Sequence, residues 1–198
     1  MTTILSACDG SASPDSEIGT GNPDTLDSSE PANGVEESRP AGEASVGSGT
    51  STCTPSQAEE EMLRQINIAR SQSRHCGPDH YEAAGPLAWD CKLQKAAYSH
   101  SEDMATINFF SHTGSDGLSA GDRIEAQGYT WRSWGENIAA GYKTFSTALD
   151  GWLDSPGHCS NIMSQKFTEI GMDFVTDTRS DYEIYWTQVF ARPAPATE

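Results

Sequence analysis

Apolar side chains recur at helical spacing in three stretches of the chain and at strand spacing in two. Met62, Leu63, Ile66 and Ala69 fall on one side of a helix while Glu59, Glu60, Glu61 and Arg64 fall on the other, the stripe an amphipathic helix turns towards a core. Thr54, Pro55 and Gln57 mark its start, as cap, first helical residue and the reach-back partner of a capping box. The pattern fades before Cys76-Gly77-Pro78, and a loop follows to Gly85-Pro86. A second stripe of Leu93, Ala96, Ala97, His100 and Met104 defines another helix, and His100 on it reads as a hydrogen-bonded core histidine. A polar loop, Ser111 to Gly117, leads to a short helical stretch from Asp122 to Gln127 that stops at Gly128. Phe145, Ala148, Leu149, Trp152 and Leu153 mark a further helix, which ends at Ser155-Pro156-Gly157. The period then changes. Ile170, Met172 and Phe174 alternate, as do Tyr182, Ile184, Trp186, Gln188 and Phe190, with a polar turn from Asp177 to Asp181 between them, so a β-hairpin closes the chain. Helices first and paired strands last, without β-α-β alternation, predict an α+β layered fold.

Composition divides the 198 residues before any of these elements. Residues 1–52 contain no Phe, Trp or Tyr and are dominated by Ser, Gly, Pro, Thr, Asp and Glu, too little apolar surface to offset the entropy of ordering. The chain therefore reads as a residual signal segment, 1–8, an acidic tether, 9–52, a folded domain, 53–193, and a tail, 194–198. From Asp9 to Thr52 nine acidic residues stand against Arg39, a net of −8, so −9 of the total −17 falls on the remainder. Nucleic acid is excluded as a partner, because phosphate binding needs clustered Lys and Arg, and anionic lipid would not attract such a chain by charge. No run approaches the roughly 20 apolar residues of a membrane helix. Leu5-Ser6-Ala7-Cys8 resembles the lipobox of bacterial lipoproteins, in which the cysteine becomes a lipidated N-terminus. Seven residues precede Cys8, fewer than a leader's charged and apolar regions need, so that reading supposes a start upstream of Met1; the alternative is a chance match. A lipid anchor at Cys8 would be the chain's one attachment to a membrane.

The remaining cysteines, Cys53, Cys76, Cys91 and Cys159, form an even set inside the folded part, which in an exported domain reads as two disulfides. Four cysteines allow three pairings. Cys76 with Cys91, closing a short connection, and Cys53 with Cys159, tying the start of the domain to its second half, is the pairing preferred here, with buried free thiols as the alternative. No CxxC spacing suggests a zinc site built from them.

Two of the five histidines lie among small residues instead of on apolar stripes: His112 in Phe110-Ser111-His112-Thr113-Gly114 and His158 in Ser155-Pro156-Gly157-His158, with a loop at Gly135-Glu136-Asn137 between them. A core role explains such positions poorly, and a nearby carboxylate is what orients an imidazole or completes a cation site. Together these segments resemble the CAP superfamily of cysteine-rich secretory proteins, antigen 5 and pathogenesis-related proteins, also called SCP-like domains. The likeness takes in Asn67 to Arg70, His100-Ser101 with Asp103-Met104-Ala105, Phe110 to Gly114, Gly135 to Ile138, Trp152 with Ser155 to His158, Asn161-Ile162-Met163, Glu169-Ile170-Gly171 and Tyr185 to Phe190. It implies an α-β-α sandwich with a small antiparallel sheet, and a cleft in which His112, His158 and Glu136 hold a divalent cation. The second acid of the family's cleft falls on Ser155 here, and Asp154 beside it is turned about 100° around the helix. Ser155, Asn137 and Trp134 are the expected cleft neighbours.

Two imidazoles and a carboxylate suit Zn²⁺ or another divalent cation with water in the fourth position, but Ser155 is a poor proton acceptor for hydrolysis. The favoured reading is an extracellular or envelope-bound binding module, monomeric, whose cleft takes a cation, a small molecule, a lipid or an envelope component. A metal-dependent hydrolase of peptides, cell-wall material or lipid esters, with Glu136, His112 and His158 as its machinery, is one alternative; a structural envelope scaffold is another. No Gly-x-Ser-x-Gly, HExxH or phosphate-binding glycine loop occurs.

Overall fold

The structure is a computed structural model and describes residues 4–11, of which 5–11 by their backbone, and residues 54–195. Helix α1 (Gln57–Arg70) starts at Ser56, not Thr54. The Ser56 Oγ accepts from the Glu59 amide at 3.3 Å and the Glu59 carboxylate accepts from the Ser56 amide at 2.6 Å, so the reciprocal box is Ser-x-x-Glu. Pro55 lies just outside it. Two residues on the inner face of α1 act as ties. Asn67 exchanges two hydrogen bonds with the Leu87 backbone, and the buried Arg70 donates to the carbonyls of Gly85, Ile162 and Ser164. Burial holds the Arg70 guanidinium down at about 10.

The sheet is flanked by helices on both faces, the α-β-α sandwich that the sequence resemblance implies. Its strands run in the order β1 (Ile4–Ser11), β5 (Trp131–Ala140), β7 (Ile184–Pro193), β6 (Glu169–Thr176) and β4 (Ala88–Trp89). All pairs are antiparallel except β4 with β6, so the sheet is mixed where a wholly antiparallel one was expected. The β6–β7 hairpin falls where the alternation placed it, with Ile170 opposite Phe190 and Phe174 opposite Trp186. A separate hairpin, β2 (Arg74–Cys76) with β3 (Asp79–Tyr81), occupies the stretch read as loop, and pairs His75 with His80. Strand β1 runs across the boundary that composition draws after Cys8.

One helical layer holds α2 (Cys91–Ile107) and α3 (Ala120–Ala126), the other α1, α4 (Phe145–Asp154) and α5 (Pro156–Met163). Alternation along β5 sends Trp134, Ile138 and Ala140 to the first layer, against Leu93, Met104 and Ile124, and Ala139 to the second, against Ile66, Trp152 and Ile162. Two expectations are corrected. Gly135-Glu136-Asn137 is the middle of a strand buried on both faces, not a loop. Ser155-Pro156-Gly157 ends α4 but at once opens α5, with Pro156 preset in the first turn.

The disulfide pairing also differs. Cys76 is bonded to Cys159, with Cα atoms 5.4 Å apart and a separation of 83 positions in sequence. The β2–β3 hairpin lies against α5, a tertiary neighbourhood that spacing along the chain does not encode. Cys91 is disulfide-bonded as well, and Cys53 lies outside the described residues.

Helix α2 crosses β6 so closely that a β-carbon on Gly171 would fall on the backbone of Leu93 and Gln94. Backbone cannot rotate away as a side chain can. Gly171→Ala should therefore destabilise the domain by about 3 kcal/mol or more, read as a drop in the denaturant midpoint at unchanged slope.

Candidate functional site

Glu136 points from the centre of β5 into the α2–α3 layer, where it is fully buried. Both its oxygens are engaged. Arg123 on α3 donates from Nη2 to Oε2 at 2.8 Å, and His112 places Nδ1 2.7 Å from Oε1. Arg123 is itself fixed by the carbonyls of His112 and Leu118, so the loop after α2 is clamped to α3 and β5 at one point. Burial pushes the Glu136 carboxyl up, but the hydrogen bond from His112 and the charge of Arg123 outweigh it and hold the group below the ordinary carboxylate range. An ionised carboxylate only accepts hydrogen bonds, so His112 must donate from Nδ1. Its other ring nitrogen, Nε2, is buried with no hydrogen-bond partner among the described residues.

His100, fully buried on α2 as expected of a core histidine, donates from Nε2 to the Ser111 carbonyl at 2.9 Å, while its Nδ1 has no hydrogen-bond partner among the described residues. It also lies 4.0 Å from Glu136 Oε1, so it belongs to the same cluster. Burial lowers its basicity despite the nearby carboxylate.

His158 sits in the first turn of α5, in the opposite helical layer. Its Nδ1 is 2.6 Å from the Ser155 hydroxyl, and its carbonyl accepts from Asn137 Nδ2 at 3.2 Å. Asn137 and Asn161 continue the polar seam, Asn161 donating to Asn137 Oδ1 at 2.9 Å and to the Glu136 carbonyl at 3.2 Å. His112 and Glu136 are thus in direct contact, while His158 is linked to them through the next residue of β5, from the other face of the sheet. Among the described residues no three His, Cys, Asp or Glu side chains stand together in a metal-holding group.

Of the expected neighbours, Ser155 and Asn137 both touch His158, whereas Trp134 packs in the core against Leu93, Ala120 and Ile124, with its indole against Gly121. Arg123 is the residue the sequence reading missed. It lies in a seven-residue helix with polar neighbours, where an arginine looks like solvated surface, and no local signal marks it as the partner of a buried acid. A groove of about 500 Å³ runs on the outer side of this layer, lined by Glu102, Asp103, Asp116 and Gln127 among others, with Arg123 at its floor.

A sheet between two helical layers, with histidines approaching from each, defines a CAP-type domain. The match to the model of the cysteine-rich secretory protein family covers residues 63–190, and the chain belongs to that family. It is 30% identical over 141 residues to the uncharacterized protein YkwD of Bacillus subtilis (strain 168), covering 71% of this chain and 51% of the relative. It is 37% identical over 115 residues to the uncharacterized membrane protein YlbC of the same organism, covering 58% and 31%. The chain thus spans about half or less of these relatives' length. Among solved structures it is similar to an extracellular SCP-domain protein of Bacillus anthracis, with 32% identity, TM-score 0.56 and coverage of 68% and 40%. An outer surface protein of Borrelia burgdorferi shares the fold, with 18% identity, TM-score 0.51 and coverage of 68% and 95%.

Removing the Arg123 charge while keeping its volume, as in Arg123→Met, leaves a buried carboxylate without its cation and should cost about 3–5 kcal/mol in chemical denaturation. His100, whose folded-state pKa lies below its ordinary value near 6.5, contributes stability that is complete above that value and declines as pH falls towards the depressed one, because the unfolded chain takes up the proton first. Stability measured at stepwise lower pH from 7.5 should fall from about pH 6.5 in the wild type, and His100→Asn should flatten that first limb.

Proposed function

We propose that this domain is an extracellular binding module, carried on the cell envelope through a lipid anchor at Cys8, whose polar seam takes up an exchangeable divalent cation. The observation that supports the cation is His112: Glu136 fixes the ring through Nδ1 and leaves Nε2 buried without a partner among the described residues. A carboxylate behind an imidazole is the arrangement that orients metal-binding histidines and raises their basicity. Glu136 fits this role better than that of ligand, since Arg123 and His112 already occupy its two oxygens. The donors would then be His112 and His158, with water completing the shell. Zn²⁺, which suits imidazole nitrogen, is the first candidate, and its chemistry when bound would be that of a Lewis acid.

Two imidazoles make a weaker site than the three or four protein ligands of a resident zinc, which favours reversible uptake over a permanent cofactor. Hydrolysis is the less supported reading. The one carboxylate in the seam is buried, ionised and held by an arginine, a poor acceptor for a water proton, and Ser155 supplies no second acid. Export and anchoring are supported by MTTILSAC at residues 1–8, by the oxidised cysteines and by the extracellular SCP-domain relative.

Isothermal titration of Zn²⁺ into the chelator-stripped full chain should give binding that EDTA reverses. His112→Ala should abolish that isotherm, and Glu136→Gln should weaken it about 10–100-fold while leaving it measurable. Equal isotherms for the wild type and His112→Ala would overturn the cation site.

A further inference from the structure

The β2–β3 hairpin carries two histidines that the polar seam does not use. Its two-residue turn, Gly77-Pro78, is closed by the pair Cys76 and Asp79, and the next pair is His75 opposite His80. The closing pair of such a turn is the hydrogen-bonded one, and Pro78, which has no amide, excludes the other phase. His75 and His80 therefore form a non-hydrogen-bonded pair, the kind whose side chains stand closest in an antiparallel ladder. Their rings have centroids 5.0 Å apart and planes inclined at 65°. Alternation turns both away from Cys76, which is buried against α5, and both are exposed.

We propose that His75 and His80 chelate Cu²⁺ on the outer face of this hairpin, at a site separate from the seam. A metal about 2.0–2.1 Å from an imidazole nitrogen lies about 3.2 Å from the ring centre, so two imidazoles on one ion at about 90–110° have centres about 4.5–5.2 Å apart. The observed 5.0 Å falls inside that interval. Both rings are exposed, so they turn a nitrogen each towards one ion without displacing core side chains. Glu82 places Oε1 3.6 Å from His80 Nδ1, too far for a hydrogen bond but close enough for its charge to favour a cation beside the pair. Among the described residues no third ligand completes a metal-holding group here, so water fills the remaining positions.

The hairpin is fixed before any ion arrives. Cys76 is bonded to Cys159, and the turn is seated on the start of α5, where a β-carbon on Gly77 would fall 2.8 Å from Pro156 Cγ. Two donors held across a short rigid ladder bind at less ordering cost than two free imidazoles. Cu²⁺ stands highest in the affinity order of the divalent first-row metals and accepts a square-planar shell completed by water. Zn²⁺ stands below it and favours a tetrahedral set of protein donors, which two exposed imidazoles do not complete. Neither ring has a buried carboxylate behind it as His112 has. The hairpin site therefore takes copper and leaves zinc to the seam, with which it shares no residue.

The test is calorimetric titration of Cu²⁺ into the chelator-stripped full chain, with the nitrogen hyperfine pattern of the bound ion read by electron paramagnetic resonance. His75→Asn and His80→Asn, both on an exposed face, should leave circular dichroism unchanged. Each should weaken one Cu²⁺ equivalent by about tenfold or more, because the remaining imidazole loses a neighbour held at high effective concentration. The two-imidazole spectrum of that equivalent should become a one-imidazole spectrum. His112→Ala should leave the same equivalent in place, whatever it does to zinc uptake, and loss of all copper binding in that variant would assign the metal to the seam and overturn the hairpin site. Glu82→Gln should weaken the equivalent about two- to fivefold, and an unchanged affinity would overturn the part given to its charge. Wild-type copper affinity in both histidine variants would overturn the site, and weakening in only one of them would overturn the chelate.

Discussion

A single negative charge with no access to water organises the centre of this domain. Glu136 could not stay ionised inside a sheet-helix interface by itself, since moving an isolated carboxylate there costs several kcal/mol. Arg123 and His112 offset that cost, and in doing so they fix the loop after α2, the short helix α3 and strand β5 to one another. His112 owes its ring orientation to this charge, and Arg123 its unexposed position. The polar seam that crosses β5 to Asn137, Asn161 and His158 begins at the same residue's carbonyl. Loop, short helix and strand also share apolar contacts, Trp134 with Ala120 and Ile124 and Phe109 and Phe110 with Ile138, and the charge-assisted network fixes the polar part of the same junction.

The sheet divides the chemistry as well as the core. His112 and Glu136 face one helical layer and His158 the other, and the alternation of a strand makes that division unavoidable for neighbouring residues 136 and 137. A cation held by both histidines must therefore sit at an edge of β5, where the two layers meet. One edge is committed to β7. The other holds β1, so occupancy of that edge and access to the two imidazoles are parts of one geometric problem.

Much of this was legible in the chain, and what was not has physical causes. Helices α1, α2 and α4 announce themselves because each buries one stripe and wets the other, and the β6–β7 hairpin does so because apolar residues alternate along both strands about a polar turn. Strand β5 has no such contrast. It is buried on both faces from Ser133 to Ala140, so polar residues such as Glu136 and Asn137 sit inside it beside Ile138 without alternation, and the eye reads Gly135-Glu136-Asn137 as loop. Helix α5 is eight residues long and opens with Pro-Gly, which mimics a stop. His112 and Glu136 stood out by context and by resemblance to the family, and they are in contact. Arg123 did not stand out, because what makes it unusual is its burial and its partner, and both are tertiary facts. The disulfide pairing was illegible for the same reason: Cys76 meets Cys159 only because a two-stranded hairpin lies on α5.

That disulfide ties the fold to its surroundings. Helix α5 is short, is entered through a proline and contributes His158, yet its own hydrogen bonds number too few to hold it alone. The Cys76–Cys159 link moors it to the β2–β3 hairpin and through that hairpin to the end of α1. The disulfide thus adds a covalent hold on one of the two histidines to the Asn137 and Arg70 hydrogen bonds that also fix α5. Where thiols are kept reduced, α5 and the hairpin lose their covalent mooring while the Glu136–Arg123 pair stays whole, so the two halves of the seam would answer to different environments: one to redox poise, the other to acidity.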